Sequence, residues 1–207
     1  MGVSVIEVNT LKRAPGMDGM MSEVLNRWSP RAFTDRAVSR AALRRVFEAA
    51  RWAPSSGNEQ PWRYLVGLRN SSTHSKISET FAGYNRNWAP QAPVLILGTT
   101  NTKLSRHDAA NIYAMYDLGA ATAMLVLQAT ALGLATHQMG GFDHDAIREA
   151  LQIPEEYALG SVMALGYQAD PATLADEELI KREMAPRSRK PVTEIAFSAW
   201  NEPAPLE

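Results

Sequence analysis

Residues Leu118-Gly-Ala-Ala-Thr-Ala-Met-Leu-Val-Leu-Gln-Ala-Thr-Ala-Leu-Gly-Leu-Ala135 carry no charged side chain. A run apolar all round is either a membrane span or a helix buried in the core of a globular protein. This one contains Thr122, Gln128 and Thr130, is rich in alanine, and has no Lys or Arg within several residues of either end. Spans are commonly flanked by basic and aromatic anchors, so the reading is a core helix. It is expected to extend over 108–134, with a break or cap at Asp117.

Working outward, the order of elements excludes regular β-α-β alternation. After the helix, 131–141 runs into a strand and loop, Asp143 caps a helix to Leu151, and 161–166 reads as a strand. Before it, 94–98 and 62–68 read as strands, with a helix over 76–81 between them. Ser39 caps a helix whose Leu43, Val46, Phe47 and Ala50 form one apolar stripe and which stops before Pro54. A short helix is expected over 21–26. Residues 1–22 read as an arm or loop, and the chain from Pro171 onward as polar and irregular, ending in a segment over 192–197. This is an α+β pattern, a mixed, largely antiparallel sheet flanked by helices. The domain division is an arm over 1–22 and a single domain over 23–207 that includes a C-terminal arm.

Composition narrows the function classes. The 207 residues are 45% hydrophobic with a formal net charge of -1, so no global field draws the protein to nucleic acid or an acidic membrane. There is no cysteine, which removes disulfides, thiolate metal sites and a cysteine nucleophile. No signal-peptide pattern opens the chain, and the expected location is cytoplasmic. His74, His107, His137 and His144 lack metal-ligand spacing, and no serine-hydrolase elbow, P-loop or dinucleotide fingerprint occurs.

Four constellations remain. In Arg27-x-Ser29-x-Arg31 an extended backbone would project two guanidiniums and a hydroxyl to one side, a set suited to phosphate. By itself the motif also reads as surface charge. Arg187-Ser-Arg189-Lys-Pro reads in isolation as a solvated basic tail. The run Pro54-Ser-Ser-Gly-Asn-Glu-Gln-Pro61 offers hydroxyls and amides that could read a flat heterocycle, or is simply a well-made turn. Gly140-Gly141 before Phe142-Asp143 would let a ligand approach the backbone, or marks a strand-to-helix turn.

Their succession resembles the nitroreductase family. Arg27-Trp-Ser-Pro-Arg31-Ala-Phe33 is followed by Ala53-Pro-Ser-Ser-Gly-Asn-Glu-Gln-Pro-Trp62, then Tyr116-Asp-Leu-Gly119 with the long helix. Ala131-Leu-Gly-Leu-Ala-Thr-His-Gln-Met-Gly-Gly-Phe-Asp143 and Arg187-Ser-Arg-Lys-Pro191 close the series. The resemblance covers about 26–197. It implies an interlocked homodimer with one FMN in each of two pockets at the subunit interface, and NAD(P)H as reductant. Arg27, Ser29 and Arg31 match positions that hold the ribityl chain, the phosphate and one edge of the ring; Arg187 and Arg189 match a pair that closes on the same phosphate. Ser55, Ser56 and Asn58 match a loop that reaches the flavin from the other subunit, with Pro54 and Gln60 beside them. Gln138, Met139, Gly140 and Gly141 match the stretch beside the flavin's reactive N5, and Trp28 falls within the first motif. Two departures stand out: Trp28 is bulky between phosphate-binding positions, and Gly140 stands where some relatives are acidic.

The resemblance further implies ping-pong turnover, NAD(P)H giving a hydride and a nitroaromatic, quinone or related acceptor then using the same site, with no side-chain nucleophile or metal. The segments 84–88 and 100–115 fall where the family shapes its substrate pockets. Alternatives on the same fold are a specialised flavin enzyme for dehalogenation, ring oxidation or flavin destruction, and a flavin-storing protein without turnover.

Overall fold

The computed structural model describes residues 4–16, 18–107 and 109–206. Its centre is a four-stranded sheet of β1 (Trp62–Leu68), β2 (Val94–Asn101), β3 (Ala135–Met139) and β4 (Tyr157–Gly166). The strand order is β1-β2-β4-β3, and every pairing within it is antiparallel. Side chains alternate across a strand, and β2 shows why its sequence is continuously apolar. Val94 and Ile96 enter the core on one face of the sheet, while Leu95 and Leu97 enter a second core on the other. On β4, Met163 and Leu165 join the first core, Val162 and Ala164 the second. Both faces are therefore covered.

The first face is covered by α3 (Arg40–Arg51) and α5 (Ala114–Ala131). Ser39 Oγ accepts from the Ala42 N–H at 3.2 Å, and Leu43, Val46 and Ala50 are buried, as the stripe requires. The second face packs against α4 (Ser72–Glu79) and α6 (His144–Leu151), the latter capped by Asp143.

Several expectations are corrected. The long helix begins at Ala114, and the expected start at Asp108 lies outside the described residues. Asp117 does not break the helix; as an acid in its first turn it suits the positive end of the dipole and bonds a neighbouring loop. The helix α4 starts at Ser72, capped by Ser71, and β2 and β4 extend beyond 94–98 and 161–166. Within the segment read as an arm lies α1 (Val5–Lys12), closed by a Ser4–Glu7 capping box; residues 1–3 and 17 lie outside the described ones. The helix α2 (Ser22–Asn26) follows it as expected.

Beyond Pro171 the chain is not wholly irregular. Asp176 caps α7 (Glu177–Met184), whose polar composition hides one buried stripe at Leu179 and Glu183. The C-terminal arm ends in a small hairpin of β5 (Phe197–Ala199) and β6 (Glu202–Pro203). No helix among the described residues is long and apolar enough to cross a membrane.

Candidate functional site

Leaving α2, residues 27–31 run extended, so their side chains alternate. Trp28 and Pro30 are buried while Arg27, Ser29 and Arg31 remain half-buried, facing the other way. Trp28 is fixed from behind: its Nε1 donates to Asn9 Oδ1 at 2.8 Å, and Lys12 Nζ sits 5.0 Å above its ring. Its bulk thus packs against α1, leaving the arginine side clear.

On that side Arg27 Nη1 donates to Ser29 Oγ at 3.2 Å. Arg187 arrives from the C-terminal arm and is anchored by donating to the carbonyls of Lys12 at 2.7 Å and Leu25 at 3.4 Å. Burial, then the Arg187 and Arg189 charges, hold the Arg27 guanidinium below its ordinary range; Arg187 is lowered by burial and by Arg189. Among the described residues no carboxylate pairs with Arg27, Arg187 or Arg189. Three like charges converge from motifs far apart in sequence, an arrangement that costs free energy until an anion meets it. That donor set fits a phosphate.

Arg31 is held differently. Its backbone N–H and its Nη1 both donate to Glu183 Oε1 at 3.1 Å. His137 closes the rear of the segment, Nδ1 bonding the Pro30 carbonyl at 3.0 Å and the ring lying 4.6 Å from that of Trp88. Burial, helped by the Arg31 charge, pushes the His137 pKa down to about 4.

Next on the sheet edge, Gln138 is exposed and its Oε1 accepts from Ser161 Oγ at 3.1 Å. It borders a cleft of about 230 Å³ between the sheet and α5, lined also by Tyr64, Met115, Gly119 and Thr122. Met139 faces the core, which leaves only its backbone for a ligand. A side chain on Gly140 would meet nothing within 4 Å, so the backbone there is open to close approach. Gly141 is crowded instead: an added Cβ would lie 2.9 Å from Asn85 Nδ2, the group that bonds its carbonyl.

The loop Pro54–Gln60 stands apart. Gly57, Asn58 and Gln60 all have positive φ, the Gln60 N–H bonds Ser55 Oγ at 2.9 Å, and the Ser56 N–H bonds Asp117 Oδ2 at 3.2 Å. Pro54, Ser55 and Ser56 line a shallow hollow of about 250 Å³ with Tyr113, Tyr116 and Ala120. No hydrogen bond or ion pair among the described residues joins this loop to the arginine cluster. Sequence reasoning missed Glu183 and Lys12, which lie in no motif; Asp117 lies within the Tyr116-Asp-Leu-Gly119 run, where its position signals only a helix break or cap, and the fold alone ties it to the loop.

Fold and site define an α+β protein whose arginine cluster suits a phosphate-bearing ligand beside an open strand end. The chain belongs to the Nitroreductase family, whose sequence model matches residues 24–85 and 79–167. It is 34% identical over 160 residues to a candidate NADH dehydrogenase/NAD(P)H nitroreductase of Archaeoglobus fulgidus, covering 74% of this chain and 88% of that protein. A solved structure described as an oxidoreductase containing FMN superposes with a TM-score of 0.83 at 31% identity, over 89% of this chain and 94% of that one. A candidate nitroreductase in complex with FMN from Desulfovibrio desulfuricans gives 0.70 at 26% identity, over 92% and 100%.

Proposed function

We propose that the protein is an FMN-dependent oxidoreductase that takes reducing equivalents from NAD(P)H and passes them to nitroaromatic, quinone or related acceptors by ping-pong turnover. The carboxylate-free convergence of Arg27, Arg187 and Arg189 beside Ser29 carries the reading. FMN's terminal phosphate is the anion those groups suit, and FMN-containing structures are among the relatives. When bound, FMN supplies the two-electron redox chemistry; the protein supplies binding, orientation and charge. Arg27, Ser29, Arg187 and Arg189 hold the phosphate, while Arg31 sets a cation at the ring. The backbone at Met139 and Gly140 lets the ring approach the strand end, with Gln138 alongside. Such a reductase belongs with its NAD(P)H pool, in the cytoplasm.

The working unit in this reading is a homodimer. Ser55, Ser56 and Asn58 sit on the far end of α5, so each chain carries two halves of different pockets. Around that end Ile112, Tyr113, Met115 and Tyr116 are exposed, and the C-terminal arm exposes Val192, Ile195 and Trp200. Apolar surface on this scale calls for a partner, and a second copy supplies the missing loop to each arginine cluster.

The test is the visible spectrum of the purified protein, followed by denaturation and identification of the released chromophore. About one FMN per chain, bleached anaerobically by NADPH and restored by a quinone, supports the reading. A colourless protein that takes up no added FMN ends it. Bound FMN that neither NADH nor NADPH bleaches leaves flavin binding and removes the turnover.

A further inference from the structure

Glu183 is a carboxylate with no exposed surface, placed behind the arginine cluster rather than in it. Its Oε1 takes two bonds from Arg31, whereas Oε2 has no hydrogen-bond partner among the described residues. Lys12, only 5% exposed, donates from Nζ to the carbonyls of Arg182 (3.1 Å) and Ala185, on either side of Glu183 at the end of α7. Three segments distant in sequence (α1, the 27–31 segment and α7) are thus joined at one buried ion pair.

A half-satisfied buried carboxylate is a poor device for stability alone, because desolvation takes back most of the Coulomb attraction. What this one accomplishes is directional. Arg31 spends its backbone N–H and one nitrogen on Glu183, and its side chain keeps 23% of its surface exposed. The remaining guanidinium donors make no other hydrogen bond among the described residues, so a rigidly held fork is left with donors to spare. Among the described residues Arg27, by contrast, is braced only through Ser29, and Arg187 only through backbone carbonyls.

We propose that Glu183 is a positioning residue for the cofactor ring: it fixes the Arg31 guanidinium so that its spare donors meet the flavin's pyrimidine edge, and Lys12 holds the end of α7 that carries it. This rests on reading the site as an FMN pocket. The phosphate cradle of Arg27, Arg187 and Arg189 is a separate device, and the two are separable because riboflavin has the ring without the phosphate.

The experiment strips the purified protein of flavin and titrates FMN and riboflavin by fluorescence, for wild type, Glu183→Ala, Glu183→Gln, Arg31→Ala and the pairs of Arg31→Ala with Glu183→Ala and with Glu183→Gln. Glu183→Ala is expected to weaken both ligands by the same factor, about tenfold. Glu183→Gln, which keeps an acceptor for Arg31, restores most of that affinity. In the Arg31→Ala background the loss of Glu183 adds nothing further, because both changes remove one interaction. Unchanged affinities in a folded Glu183→Ala protein overturn the proposal. So does a loss larger for FMN than for riboflavin, which marks general damage to the pocket. If Glu183→Ala does not fold, Glu183→Gln decides in its place: a small equal loss that vanishes in the Arg31→Ala background upholds the role, and any other pattern overturns it. Wild-type protein that binds neither flavin ends the cofactor reading itself, a result distinct from all of these.

Discussion

The backbone N–H of Ser56 lies 3.2 Å from Oδ2 of Asp117, a carboxylate that is 2% exposed in the first turn of α5. The bond ties the Pro54–Gln60 loop to α5, which with α3 covers the first face of the sheet. The loop's positive-φ residues, Gly57, Asn58 and Gln60, cannot fall back on regular hydrogen bonding to hold that shape. Asp117→Ala is therefore expected to lower stability by about 1–3 kcal/mol, the cost of an unpaired N–H and a lost charge-assisted bond. Asp117→Asn, which keeps the acceptor, should recover part of it. Urea unfolding of the two variants beside wild type checks this; equal midpoints for all three would show the bond to be incidental.

Arg189 separates charge from scaffolding. Its only hydrogen bond among the described residues is to the neighbouring Ser188 carbonyl, so Arg189→Ala should leave the melting temperature alone. It should raise the Kd for FMN about tenfold while leaving that for riboflavin unchanged. The gap between wild type and variant should shrink at high ionic strength, where charges near the surface are screened. Isothermal titration with both ligands at two salt concentrations reads all three effects, and equal losses for FMN and riboflavin would remove Arg189 from the phosphate site.

His137 makes stability depend on pH. Its folded pKa is depressed to about 4, below the ordinary value of 6.5, because burial and then Arg31 disfavour the imidazolium. Between those two values the unfolded chain binds the proton and the folded one does not. Stability is thus fully present above about pH 6.5 and falls as pH drops toward 4. By pH 5 the loss from this group is about 2 kcal/mol. His137→Asn, whose Nδ2 stands where Nδ1 does and can still donate to the Pro30 carbonyl, should flatten the dependence of unfolding free energy on pH across that window. A variant as acid-sensitive as wild type would assign the effect elsewhere.

Trp200 is 87% exposed in the turn between β5 and β6, its ring 6.2 Å from that of Phe197 and otherwise open to solvent. If the arm lies against a second copy, Trp200→Ala removes an anchoring aromatic worth about 2 kcal/mol, or about thirtyfold in the dimer dissociation constant. Sedimentation velocity over a range of concentrations measures it. Identical dissociation constants would place the arm outside the interface.

Much of the site was legible because it is written in short-range spacing. The alternation at Arg27, Ser29 and Arg31 needs only an extended backbone, and the stripe of Leu43, Val46 and Ala50 needs only a helix. Asp143 likewise caps α6 through its own next residues. The helix α7 escaped notice because its polar residues mask a stripe of only Leu179 and Glu183, and α1 because it shows no pronounced amphipathic face.

The sequence by itself determined the family, the antiparallel α+β frame and the residue types offered to a phosphate, since these rest on local periodicity and on the order of motifs. Tertiary structure alone decided that Arg31 is braced by Glu183, 152 residues away, that Trp28 turns toward α1, and that the Ser55 loop is tied to Asp117. No spacing rule reaches that far: a buried ion pair is selected by which segments the packed core brings within hydrogen-bond distance, and that follows from the whole fold.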